Sequence, residues 1–288
     1  ATRGSPFEIQ RLVRRAPGAD AVQATLAELT APAHRLLRAI AVAAGRLPVA
    51  AWRGVATSAA LRELEVRFLI DAASGEPTIH DLIREATLAR ATAAELATAH
   101  ADAAAACLAE LAECEGPRLL VAVDAASHLL TAGRPDDAWA VVEAWYARLA
   151  AAGSEHLLLP PLEALRAALP ARRIGIELAI ARCLVRASSI DAASQLLSEI
   201  GEPTRDLDRA RLALLAGEVA LRRGQTAEAE ACFVRAAASA DDPSLRFQAQ
   251  LQAANAAIFA GEGGRARVTL AAASKRSSNI RLTVDAHA

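Results

Sequence analysis

Methionine is absent from this chain, and lysine and tyrosine occur once each, as Lys275 and Tyr146. A chain without methionine cannot begin at its own translation start, so we expect a segment of a longer protein. Aromatic residues make up only 3% of the sequence, so each one carries weight. Neither sign of charge is in excess: 32 basic residues meet 33 acidic ones, a formal net charge of −1. That balance disfavours direct binding to nucleic acid, because neutralising phosphates needs a cationic surplus. No apolar run approaches the ~20 residues that span a bilayer, and no secretory signal opens the chain. Only four cysteines occur, Cys107, Cys114, Cys183 and Cys232, with no CxxC pair and no zinc-ligand spacing. They read as inert buried thiols in a reducing, cytoplasmic setting. No GxxxxGK[ST] segment exists, and no apolar strand ends in paired acids, so the chain itself is not expected to be an enzyme of the ATPase class.

What is present points to helix. The 288 residues are 53% hydrophobic and can bury roughly three quarters of their unfolded surface, enough for two domains. That apolar content with balanced charge excludes disorder. Roughly a quarter of the residues are alanine, the strongest helix former.

Gly and Pro divide the chain into candidate elements. Pro6 to Arg15 reads as a first helix, ended by Ala16-Pro17-Gly18. Thr30 can cap a helix from about Ala31 to Ala44, with Pro32 in its first turn and Gly45 after it. Pro48 opens a shorter helix with Trp52, and Ala59 to Val66 forms a third. Arg67-Phe68-Leu69-Ile70-Asp71, turn chemistry at Ser74-Gly75-Glu76-Pro77, and Thr78-Ile79-His80 then predict a small β-hairpin. Asp81 can cap the helix that follows. Three helices, a hairpin and a helix describe a winged-helix unit over 31–90, after a linker region at 1–30. A single alanine-rich helical stretch is expected from Ile83 to about Glu115, with 91–116 as a connecting helix stopped by Gly116-Pro117.

Beyond it lies an internal repeat. A Gly or Ala followed five residues later by Ala recurs at Gly133/Ala138, Ala187/Ala192, Gly224/Ala229 and Gly261/Ala266. The first residue would end one helix, and the alanine would remove bulk where the next crosses it. Ala229 and Phe233 meet the tetratricopeptide A-x3-F spacing, with Pro243 near the pattern's terminal proline. Val142, Leu196 and Leu270 fill the same large slot in the other units. The spacing predicts a TPR-like α-solenoid of helical hairpins over 117–276, with an extra helix bounded by Pro160-Pro161 and Pro170 and a tail at 277–288. The fold class is therefore mainly α.

Few side chains suggest chemistry. His80, beside Asp81 at a strand–helix junction, could help hold an anion at a helix N-terminus. No nucleophile accompanies it, so no catalytic dyad is expected. Trp139, Trp145 and Tyr146 share one helix and read as core, or as a ligand- or partner-facing surface. His128 reads as structural, and the other histidines show no partner. Gly261-Glu262-Gly263-Gly264 lacks a preceding strand and is a turn rather than a phosphate cradle. The stretch Pro48 to Val55 carries one cation on mostly apolar surface, which suits packing better than a DNA-reading helix. No metal site is expected.

Three features in this order resemble a family. Gly4-Ser5-Pro6-Phe7 looks like the GxP element that ends the nucleotide-binding region of STAND-type NTPases. The winged-helix unit follows, and Ile79-His80-Asp81 is similar to that family's Met-His-Asp motif, with Ile for Met. A TPR-like arm completes the order, and the alanine and arginine bias most resembles large bacterial ATP-binding transcriptional regulators of the LuxR type or the related antibiotic-regulatory type. The resemblance implies a nucleotide-sensing set of Gly4, Pro6, His80 and Asp81, with Pro6 near adenine and His80 on the β-phosphate of ADP. It also implies an upstream nucleotide-binding domain in the same chain, an inducer on the arm, and a homo-oligomer when activated. ADP and ATP would be cofactors of the full-length protein only, and DNA would be met through a domain outside this chain. A standalone TPR-like adaptor that binds a partner protein remains the alternative, and an all-helical enzyme around His80 or Trp145 and Tyr146 a third reading.

Overall fold

A computed structural model of the chain describes residues 19–43, 47–73, 75–113 and 119–273. Gly4, Pro6, the expected helix at Pro6–Arg15, Gly45, Cys114, Gly116-Pro117 and the tail at 277–288 lie outside the described residues. No described helix is long and apolar enough to cross a membrane. The chain divides into two compact units, Ala1–Leu157 and Leu158–Ala288, a boundary inside the stretch read as repeats.

The first unit contains α1 (Ala19–Ala27), α2 (Ala31–Ala43), a 3-10 turn (Val49–Gly54), α3 (Ser58–Val66), α4 (Asp81–Ala89), α5 (Ala93–Glu113), α6 (Leu119–Thr131) and α7 (Pro135–Ala151). Its core forms where α2 meets α3, α4 and α5, with Leu36, Leu37, Ile40 and Leu64 fully buried. Thr30 starts α2 as its spacing predicts, its Oγ1 accepting from the Ala33 N–H at 3.4 Å. The same hydroxyl donates to Glu63 of α3 at 2.6 Å, which holds that carboxyl below the usual carboxylate range. Asp102 of α5 takes a bidentate pair from Arg35 of α2 at 2.6 and 2.7 Å, and Arg84 of α4 donates to the Ala41 carbonyl at 2.9 Å. Planar guanidinium forks suit such inter-helix clamps.

Two expectations change here. The hairpin is reduced to one antiparallel bridge, Asp71 with Thr78, through N–H···O bonds of 2.9 and 2.8 Å. Pro77 has no N–H to give, and α4 begins at Asp81, so little chain remains to pair. The long helix from Ile83 is broken after Ala89 and restarts at Ala93. Thr92 and Glu95 cause the restart as a reciprocal capping box: Thr92 N–H donates to Glu95 Oε2 at 2.9 Å, and Glu95 N–H to Thr92 Oγ1 at 3.3 Å.

The second unit contains α8 (Leu159–Ala168), α9 (Arg173–Arg186), α10 (Ile190–Glu199), α11 (Asp206–Arg222), α12 (Thr226–Ser239) and α13 (Pro243–Phe259), then a helical stretch over 263–273. Consecutive helices pack as pairs, most extensively α11 with α12 and α12 with α13.

One backbone device closes helix after helix. Gly133, Gly224 and Gly261 sit at φ 74, 76 and 81°, the left-handed region open to glycine. The residue after each donates five positions back, Arg134 to Leu129, Gln225 to Ala220 and Glu262 to Ala257, at 2.8–2.9 Å. This is the Schellman closure. Five residues beyond each left-handed position, Ala138, Ala229 and Ala266 are buried.

The fourth member is displaced by one residue from the expected Ala187/Ala192. Ser188, at φ 62°, is the left-handed residue, and Ser189 donates to the Leu184 carbonyl at 2.9 Å. Ala193 is buried five residues on, whereas Ala192 is exposed. Leu196 is buried, as its slot requires, and Leu197, four residues beyond Ala193, packs on the cluster of Val185, Ala193 and Val219. A serine in a glycine position leaves no mark in the sequence, so the register went to the nearest small residue.

Candidate functional site

His80, and not Asp81, is the N-cap of α4. Its backbone is extended (φ −70°, ψ 141°), and its Nδ1 accepts from the Leu82 N–H at 3.3 Å. Its carbonyl accepts from Ile83 and Arg84 at 2.9 and 3.0 Å. The first-turn amides of Leu82, Ile83 and Arg84 are thus consumed by His80 itself. An anion cannot use those three, and the ring nitrogen not engaged by the helix is Nε2, a donor in the tautomer that Nδ1 acceptance requires. His80 and Asp81 are both exposed, and the Asp81 carboxylate lies in the first turn, where the helix dipole favours it. The residues behind them are anchored: Ile83 is buried in the core, and Arg84 ties α4 to α2.

Trp139, Trp145 and Tyr146 all lie on α7. Trp139 is buried, and the other two are half-buried. Arg148 covers the Trp145 ring, its guanidinium carbon 4.5 Å from the ring centre, a cation–π contact. At 100° per residue, Trp139 and Trp145 point about 120° apart, so the two indoles do not form one platform.

Ala51 and Trp52 are buried within the 3-10 turn, as a packing role for Pro48 to Val55 requires. The Trp52 Nε1–H is buried with no hydrogen-bond partner among the described residues. Cys107, Cys183 and Cys232 are buried, and burial pushes the Cys107 thiol up to about 12. No group of three or more metal-binding side chains occurs among the described residues.

Two features escaped the sequence. His100 of α5 and His128 of α6 are partners, their Nδ1 atoms 2.9 Å apart. Burial lowers both, His128 to about 4 with a smaller contribution from His100. The α5–α6 packing joins two residues 28 positions apart, a relation that no short motif encodes. The second is a cleft of about 670 Å³ in the second unit, lined by side chains of α10, α11 and α12. Near it on α11, burial pushes the Glu218 carboxyl up, against the pull of Arg182, Arg222 and Arg186.

No protein-family model, no curated protein and no solved structure matches the chain.

Proposed function

We propose that the chain is the regulatory arm of a bacterial STAND-type ATPase, a winged-helix unit followed by TPR-like hairpins that hold an ADP-bound off state and respond to an inducer. The observation that carries this reading is the presentation of His80. Its Nδ1 is bonded to the helix it caps, the residue is exposed, and the helix beneath it is clamped to α2. A sensor of a phosphate oxygen needs a donor of fixed direction on a rigid mount, so that losing the phosphate changes the contact decisively. The small helices before His80 and the bridge at Asp71–Thr78 support the winged-helix part. The recurring Schellman closures and buried alanines support the TPR-like part.

A switch of this kind needs differential affinity of about 5.5 kcal/mol to move from 1:99 to 99:1. The test uses the full-length protein. His80→Ala should speed ADP dissociation and raise basal activity, while a deletion of about 205–276 should abolish the inducer response and leave nucleotide binding intact. Unchanged ADP dissociation in His80→Ala would remove the sensor role.

A second reading, the partner-binding adaptor without a nucleotide link, is favoured by the cleft in the second unit, which involves none of the residues around His80. It predicts a full-length protein that carries no nucleotide.

A further inference from the structure

The cleft is built where α10 and α12 both pack on α11. Its floor is apolar: Leu197 comes from α10, and Leu212, Ala216 and Val219 from α11. Three guanidiniums stand around that floor, those of Arg209, Arg223 and Arg235. Two are already paired. Arg223 reaches Asp191 at 2.7 Å and Ser194 at 2.8 Å, and Arg209 is held by Asp206 and the Pro203 carbonyl.

Arg235 differs. Its Nη2 lies 3.1 Å from the Cys232 sulfur, and no carboxylate pairs with it among the described residues. A thiol is a weak acceptor and Arg235 is exposed, so most donors of this fork face water and are open to a ligand. Arg209 and Arg223 are each matched by an aspartate and Glu202 and Glu228 also line the cleft, so the anchor offered to a ligand is the fork of Arg235 and not an excess of positive charge. A planar fork suits a carboxylate, which it can grip with two parallel bonds. The volume falls within the ~300–1,000 Å³ of small-molecule sites, which are mostly apolar with a few placed polar groups.

We propose that this cleft binds a small amphiphilic carboxylic acid, with its apolar body on Leu197, Leu212 and Val219 and its carboxylate on Arg235. Under the regulatory reading above, on which its role as the inducer rests, this gives the ligand a chemical class. The binding itself requires no nucleotide. Loss of one property therefore leaves the other measurable: a cleft that fails to bind says nothing against ADP retention, and the converse holds.

Decanoate is the probe, titrated calorimetrically into the chain beside 1-decanol and decyl phosphate. Decanoate should bind with a dissociation constant below about 1 mM, and more tightly than either comparison compound. Arg235→Gln should weaken decanoate at least about tenfold and leave decanol unchanged, because it removes only the charged fork. Ala216→Leu, which fills the floor and keeps every charge, should weaken both. Circular dichroism checks that each variant is folded. Absence of decanoate binding, equal affinity for decanol, tighter binding of decyl phosphate, or indifference to Arg235→Gln would each overturn the assignment.

Discussion

Gly217 of α11 faces the ring of Phe233 on α12 so closely that a methyl group there would lie 2.6 Å from Cε1 and 2.7 Å from Cδ1. Phe233 is fully buried in the largest described core cluster of the second unit, with Ala229 and Ala236. The missing side chain on α11 is what lets the ring fill the space between the paired helices.

A substitution that usually helps a helix should therefore harm this one. Gly→Ala in a helix interior is worth about 1 kcal/mol of stabilisation. At Gly217 the added carbon meets a ring that has nowhere to move, and overpacking costs roughly 1–3 kcal/mol. Gly217→Ala should lower the urea midpoint, and Phe233→Leu in the same background should recover part of the loss. A stabilised Gly217→Ala would contradict the packing described.

The register of the displaced repeat can be tested by neighbouring alanines. Ala193→Leu should cost about 2 kcal/mol or more, since it forces volume into a full core, while Ala192→Leu should stay within about 0.5 kcal/mol. Ser188→Gly should raise stability by up to about 1 kcal/mol by relieving a left-handed serine. Equal effects at positions 192 and 193, read by thermal or urea unfolding, would restore the original spacing.

Acid should loosen the first unit through His128. An unfolded imidazole titrates near 6.5, whereas burial lowers this one to about 4. The folded state thus resists a proton that the unfolded state accepts. Stability is complete above about pH 6.5 and is lost as pH falls toward 4, by an amount on the order of 3 kcal/mol. Urea midpoints followed over that window should decline, and His128→Gln should flatten the decline. A wild-type profile level from pH 6.5 to 4 would be incompatible with a neutral buried pair.

The break before α5 has its own test. Thr92→Ala removes the Oγ1 that accepts from the Glu95 N–H, keeps the backbone half of the capping box, and should cost about 1 kcal/mol. Faster amide exchange at Glu95 should accompany it. Unchanged exchange there would place the helix start elsewhere.

These residues also mark where the sequence was readable. Gly133, Gly224 and Gly261 announced their turns because glycine is the residue that a left-handed cap favours, and Ala229 with Phe233 kept its place. Ser188 did not, since serine occupies such a cap without a compositional trace. Thr92-x-x-Glu95 was written in the chain, yet it was hidden inside an alanine run whose helical propensity spoke louder. His80 was legible as a junction residue, but its capping role depends on a backbone angle, and the exchange of roles with Asp81 follows from that. The His100–His128 pair and the cleft around Arg235 arise from packing between helices, and local patterns carry no information about either.

The nucleotide content of the full-length protein tests the proposed function most directly. Purified by gel filtration in nucleotide-free buffer and then denatured, wild-type protein should release close to stoichiometric ADP, and His80→Ala should release clearly less. A full-length protein that releases no nucleotide, or a His80→Ala variant that retains as much ADP as wild type, would contradict the account.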